Sequence, residues 1–280
     1  MAQYCYALRQ KRLFLRRRCP DPLYCYLAPC LLTTPSSERQ AQKWFRPWVG
    51  SHEFINRYFR YCLFLKACSP EEIRKTPKCM ERIAAVQRFR SGSSRASTRK
   101  MADFPLAFST TNIPKAEHII VPKVSSKRRR YIPMGLMKPE VLSSNLVFVI
   151  CNATLYHFGV LTSNVHMAWM RAVCGRLEMR YRYSKDVVYN NFPWPTPTEE
   201  QKGKIAACAQ AIIDARSIYD DSSLADLYDE TTMPPELRRA HQQNDRAVME
   251  AYGFSVKDMT ESKCVAEVMR MYQELTEEKP

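Results

Sequence analysis

Glu178 and Arg180 stand two residues apart in the stretch GRLEMRYRYSKDVVYNNFPWP (residues 175–195), with Arg176 before them and Arg182 after. These side chains have the chemistry to read DNA. A guanidinium donates two hydrogen bonds to the O6 and N7 acceptors of guanine in the major groove, and a carboxylate accepts from the exocyclic amine of cytosine. On an extended segment, positions i and i+2 point the same way. Glu178 and Arg180 could therefore address the two halves of one C·G pair, and Arg182 the neighbouring pair. A carboxylate repels phosphate, so its presence argues against a purely non-specific basic patch. The same spacing also suits an ordinary surface ion pair between Glu178 and Arg180, which would be worth little. Composition does not choose between the two.

A second cluster lies upstream in SSKRRRYIP. Ser125 and Ser126 precede four consecutive cations, Lys127, Arg128, Arg129 and Arg130. Hydroxyls and cations in this arrangement suit phosphate oxygens, which position a protein on a duplex without reading its sequence. A solvated basic loop is the alternative. In NNFPWP, Pro193 and Pro195 fix an extended path, and Phe192 and Trp194 read as hydrophobic anchors rather than stacking platforms.

Other chemistries find no support. The seven glycines, at 50, 92, 135, 159, 175, 203 and 253, are too far apart for a glycine-rich cofactor loop. No P-loop, G-x-S-x-G or H-E-x-x-H motif occurs. The eleven cysteines form no C-x-x-C and the five histidines stand alone, so no metal ligand set is expected. An odd cysteine count fits reduced thiols in a cytosol. Cys62, Cys151, Cys174 and Cys208 sit in apolar runs and read as core residues. His166, near Cys174, reads as a packed helix-face histidine. No catalytic residue is assigned.

The elements that must carry these residues are legible in part. SSERQAQKWF reads as a helix capped at Ser36 or Ser37, RYCLFL (60–65) as a strand, and PKCMERIAAVQRFR (77–90) as a helix. The face of that helix is expected to carry Met80, Ile83, Ala84, Val86 and Phe89. SGSSRASTRK (91–100) reads as a loop. HIIVPKV (118–124) is β-prone, the basic turn leads into another short strand, and NLVFVICNA (145–153) reads as a buried strand. TSNVHMAWMRAVCG (162–175) predicts a helix capped by Ser163 or Asn164 and stopped by Gly175. Thr198 and Gln201 have the spacing of a capping box for a helix to about Tyr219, with Ile205, Cys208, Ile212 and Ala215 inward. Further helices are predicted from Pro234 to Gly253 and from Thr260.

Charge divides the chain. Residues 1–195 hold 33 Lys and Arg against 11 Asp and Glu, net +22; residues 196–280 hold 10 against 17, net −7. The whole carries +15, which points to a polyanionic partner. No apolar run is long enough to span a membrane, and no signal peptide is read.

HIIVPKVSSKRRRYIPMG, FGVLTSNVHMAWMRAVCGRLEMRYRYS and VYNNFPWP, in this order, resemble the C-terminal part of MmeI-type single-chain adenine-specific DNA methyltransferases and restriction-modification enzymes. SLADLYDETTMPPELRRAHQQNDRAVMEAYGF (223–254) is similar to their helical tail, and WFRPWVGSHEFINRYFRYCLFL (44–65) to the entry of their target-recognition domain. The resemblance implies an α+β fold, a small mixed-sheet DNA target-recognition domain (36–195) followed by an α-helical C-terminal domain (196–280). It implies double-stranded DNA as partner, a cytoplasmic location, and Glu178 with Arg180 as a specificity pair. Arg182 becomes a neighbouring base reader, Lys123 and Asn145 fall where other base contacts are expected, and Arg128 and Arg129 match the SSxRR loop. The full-length family enzyme transfers a methyl group from S-adenosylmethionine to a flipped adenine. Its glycine motif for that cofactor and its Asn-Pro-Pro-aromatic motif are not in this sequence. Nor do residues 1–30 show the Gly…Pro-x-Asp-Gly-Gly stretch that precedes the recognition domain. Residues 1–35 thus read as a poorly ordered or non-family leader, and the chain alone as inactive and without a bound cofactor. A separate catalytic half is the implied partner; a free-standing specificity subunit acting in trans and a gene remnant are the alternatives.

Overall fold

The computed structural model describes residues 41–65, 68–108 and 113–277. The expected leader and the first half of the helix expected from Ser36 lie outside them. The described chain begins with β1 (Phe45–Val49), α1 (Ser51–Ile55), β2 (Arg60–Leu63), α2 (Pro70–Arg74), α3 (Pro77–Ser91) and α4 (Ala96–Arg99). It continues through β3 (His118–Pro122), β4 (Val124–Ser125), β5 (Gly135–Met137), β6 (Leu142–Ser143) and β7 (Val147–Cys151). Next come α5 (Leu155–Leu161), α6 (Asn164–Val173), β8 (Gly175–Leu177), β9 (Arg180–Arg182) and a π-helical turn (Lys185–Tyr189). The chain then ends in α7 (Glu199–Ser217), α8 (Leu224–Leu227), α9 (Pro235–Ala251) and α10 (Glu261–Glu277). The fold is α+β, with three small sheets followed by helices.

Two compact units form. The first takes the described residues up to Val49, Tyr58–Ile113 and Glu140–Leu142. In it, β1 pairs antiparallel with β2, Phe45 opposite Leu63. Trp44, Leu63, Leu65, Ile73 and Cys79 pack one apolar cluster, and Trp48, Cys62 and Leu142 another. Arg90, at the end of α3, is buried and spends its guanidinium on the carbonyls of Met101, Phe104 and Ala107. Those bonds hold the segment that follows α4, and the stretch expected to be a plain loop (91–100) itself contains α4.

The buried side of α3 differs from expectation. Met80 and Phe89 are exposed, while Cys79, Val86 and Arg90 are buried. Val86 is buried as expected and Ile83 packs against the core, but hydrophobicity alone does not place Arg90, which turns inward because its guanidinium is hydrogen-bonded. Phe45, expected at the end of a helix, opens β1 instead.

The second unit comprises Gly50–Arg57, Pro114–Pro139 and Ser143–Pro280. β3 is its central strand, antiparallel to β5 and β7, and all five of its residues are buried. A central strand covered on both faces needs such a continuous apolar run. β7 is an edge strand, as is β5, and only Val147 on β7 is buried, with Cys151 exposed at its end. The expectations of a buried strand and of a core Cys151 are thereby corrected: an edge strand leaves one flank to solvent. Cys62 is buried, and Cys174 and Cys208 are half-buried.

The helices follow their caps. Ser163 Oγ accepts from His166 N at 3.4 Å and opens α6, which ends at Val173, so Gly175 starts a strand and does not stop the helix. Thr198 and Gln201 exchange capping bonds of 2.9 and 3.2 Å at the start of α7. Pro234 is the cap of α9, with Pro235 as its first helical residue. No helix among the described residues is long and apolar enough to cross a membrane.

Candidate nucleic-acid interface

β4, β9 and β8 make a three-stranded antiparallel sheet, in the order β4-β9-β8. Its register sets Ser125 and Arg176 on either side of Tyr181, and Val124 and Gly175 on either side of Arg182. Because side chains alternate along a strand, one face carries Ser125, Tyr181 and Arg176 and the other carries Arg182, Arg180 and Leu177. Tyr181 and Ser125 are buried, whereas Arg180 and Arg182 are exposed. The tyrosines hold the strand from behind. Tyr183 is buried, its hydroxyl 2.9 Å from His166 Nε2, and its amide donates to Lys123 O at 2.9 Å. Burial pushes His166 down to about 3, so it is a neutral hydrogen-bonding partner in the core and not a charged catalyst. Phe192 anchors the following segment with its ring edge against His166 at 4.5 Å.

β8 and β9 are joined by a two-residue turn, Glu178–Met179, and Leu177 pairs with Arg180. Glu178 adopts φ +54°, a conformation that β-hairpin turns require and that glycine, asparagine and aspartate take more readily than glutamate. The premise of an extended i, i+2 pair is therefore corrected. Glu178 lies in the turn and meets Arg180 across it, carboxylate Oε2 accepting from the guanidinium at 2.8 Å. Both are exposed, 76% for the glutamate and 48% for the arginine, so as an ion pair they add little stability. Met179 beside Glu178 is also exposed.

The two other expected base readers lie on the β3–β4 and β6–β7 connections. Lys123 connects β3 to β4, its amide bonded to Leu146 O at 3.1 Å and its ammonium 4.5 Å from the Phe148 ring. Asn145 is exposed immediately before Leu146. By alternation along the strand Lys123 shares the face of Ser125 and Tyr181, its ammonium over Phe148, so the β4–β9 pairing does not bring it to the face of Arg180 and Arg182.

The basic loop divides. Ser126 Oγ accepts from Arg128 N at 3.2 Å and so shapes the turn. Lys127, Arg128, Arg129, Arg130 and Arg171 line a cleft of about 440 Å³ together with Tyr131. Arg128 is exposed and 3.7 Å from Asp229. Burial pulls the Arg129 guanidinium down from its usual value, while Asp229 and Asp226 push it back up. Ser125 is only 2% exposed and faces inward, so the expectation that its hydroxyl meets phosphate is not supported by this geometry. Sequence reasoning passed over Arg171, which lies forty residues downstream of the loop; only the fold brings it to the cleft. It also left Arg176 without a role, although the guanidinium stacks 4.1 Å from the Tyr181 ring and alternation along the hairpin would have shown it opposite the reading face.

Among the described residues no group of three or more potential ligands could hold a metal ion.

Comparison with known proteins gives a consistent result. The family model "MmeI, target recognition domain" matches residues 32–196 and "MmeI, C-terminal domain" matches residues 197–279. DNA methyltransferase A of Bacillus subtilis (strain 168) is 39% identical over 234 residues, which are 84% of this chain and 26% of that protein. The solved structure of the type IIL restriction-modification enzyme MmeI in complex with DNA superposes with a TM-score of 0.80 at 44% identity, covering 85% of this chain and 32% of that one. The chain spans about a quarter to a third of the length of these relatives.

Proposed function

Because this chain belongs to the MmeI family and carries its target recognition and C-terminal domains, we propose that it is the DNA-recognition part of an adenine-specific methyltransferase of the restriction-modification type. Residues 36–195 then form the recognition domain and 196–280 the helical domain. The partner is double-stranded DNA, met in the cytoplasm. Methyl transfer from S-adenosylmethionine belongs to the full-length enzyme, with the catalytic half supplied by other residues.

The observation that carries this reading is the hairpin of β8 and β9. A two-stranded ribbon fits the major groove, which is about 12 Å wide. In a C·G pair, guanine O6 accepts from cytosine N4 at ~2.9 Å. The Glu178–Arg180 contact, at 2.8 Å, presents an acceptor and a donor at matching separation. The ion pair and base reading are therefore compatible: the pair is already arranged as the edge that a C·G pair needs. Arg182, on the same strand face as Arg180, reads the next pair. Lys127, Arg128 and Arg130 hold phosphates beside it, with Ser126 shaping their turn.

The test is selection of duplexes from a randomised pool by the full chain, read by sequencing. Glu178→Lys alone should lose preference at one position, since lysine meets the cytosine donor. Adding Arg180→Asp should restore preference there with C and G exchanged and all other positions unchanged. An unchanged selected sequence would remove the pair as readers, and failure to retain any duplex at low salt would remove the whole reading.

A further inference from the structure

Gly175 lies at the start of β8, directly opposite Arg182 in the ladder. Several glycines elsewhere in this unit have evident reasons. A Cβ at Gly135 would fall 2.5 Å from the Phe54 ring and one at Gly159 2.5 Å from Ile205 Cγ2, while Gly253 has φ +71°. Gly175 has none of these. Its φ lies outside the left-handed region, and a Cβ there would meet no described atom within 4 Å. Gly203 shares that openness, but it lies within α7, away from the reading face. Glycine weakens a strand, through the entropy of the unfolded chain and through the missing side chain. A β-branched residue would suit the position better. Within a strand, a glycine with no conformational or packing need marks a place where a ligand or another backbone comes close.

We propose that Gly175 is a specificity-determining clearance: it lets the duplex come into contact with the backbone of β8, so that Arg182 reaches its base edge. This rests on the reading of β9 as a DNA-reading strand. Opposed Cβ atoms in an antiparallel pair stand about 4.5–5.5 Å apart. A side chain at position 175 would therefore rise beside the Arg182 stem on the exposed face, where the groove edge has to approach.

The experiment uses the full chain with Gly175→Ala, Gly175→Val and Gly175→Leu. Each is titrated by fluorescence anisotropy against the duplex that the unmodified chain enriches from a randomised pool, and each is melted in parallel. The expected result is weaker binding in order of side-chain size, reaching about tenfold or more for leucine, with no fall in Tm and relaxed preference at the base read by Arg182. Binding of the leucine variant within twofold of the unmodified chain would overturn the proposal while leaving DNA reading intact. A lowered Tm for Gly175→Ala would overturn it too, by showing that the glycine serves the fold. If the unmodified chain enriches no sequence, DNA reading fails first and this clearance with it.

Discussion

At the scale of single residues, Asp245 shows how burial and hydrogen bonding compete. Its carboxylate is buried, accepting from Tyr131 OH at 2.7 Å and from the amide of Asn164 at 2.8 Å. Burial raises it to about 6, against the pull of those two hydrogen bonds and of Arg130 and Arg171. Tyr131 in turn stacks on His241 at 4.1 Å, so this site fixes the end of the basic loop. A carboxyl with a raised folded value binds its proton in the native state before the unfolded chain does. Stability therefore falls as pH rises from about 4 to about 6, and above that window the charged form costs on the order of 2–3 kcal/mol. Asp245→Asn keeps the shape and removes the charge. It should raise Tm at pH 7.5, with the gain shrinking by pH 5. A variant less stable than the original at both values would show that the charge itself is required.

At the scale of elements, the approach of α5 to α7 is set by one glycine. Gly159 leaves space that Ile205 fills, and Asn244 Nδ2 donates to Gly159 O at 2.8 Å. A methyl group at Gly159 would meet Ile205 Cγ2 at 2.5 Å and the Ile205 carbonyl at 3.1 Å, and the second contact is with backbone that cannot turn aside. Gly159→Ala should destabilise the protein by about 1–3 kcal/mol, the usual range for overpacking. Urea unfolding measures this directly, and an unchanged midpoint would mean that the helices slide apart at no cost. The hairpin of β8 and β9 behaves differently. Its backing residues, Tyr181 and Tyr183, are buried while the face with Arg180 and Arg182 carries no core, so substitutions on that face should have little effect on the fold.

At the scale of the whole molecule, a net charge of +15 makes duplex binding an electrolyte problem. Each phosphate neutralised contributes about −0.9 to the slope of log affinity against log salt. Arg128 is 72% exposed and its described acidic neighbour is 3.7 Å away, so it is available to a phosphate. Arg128→Ala should weaken all duplex sequences alike and flatten the slope by about 0.9 between 50 and 200 mM salt. Anisotropy across that range decides it; a sequence-selective loss would reassign the loop to base reading.

The sequence by itself determined what local chemistry determines. The caps at Ser163 and Thr198, the helix of residues 77–91, the β-prone run of β3 and the family motifs were all legible, because each depends on neighbours within a few positions. That Glu178 and Arg180 could meet as an ion pair was legible too, but the turn through which they meet was not. An alternating pattern fits one straight strand as well as the second arm of a hairpin, and the positive φ of Glu178 leaves no mark in composition. The inward turn of Ser125, the inward Arg90 in place of Met80 and Phe89, and the arrival of Arg171 at the basic cleft were decided only by tertiary structure. Each depends on partners distant in sequence: carbonyls that satisfy a buried guanidinium, a strand pairing that assigns faces, and a helix packed beside a loop.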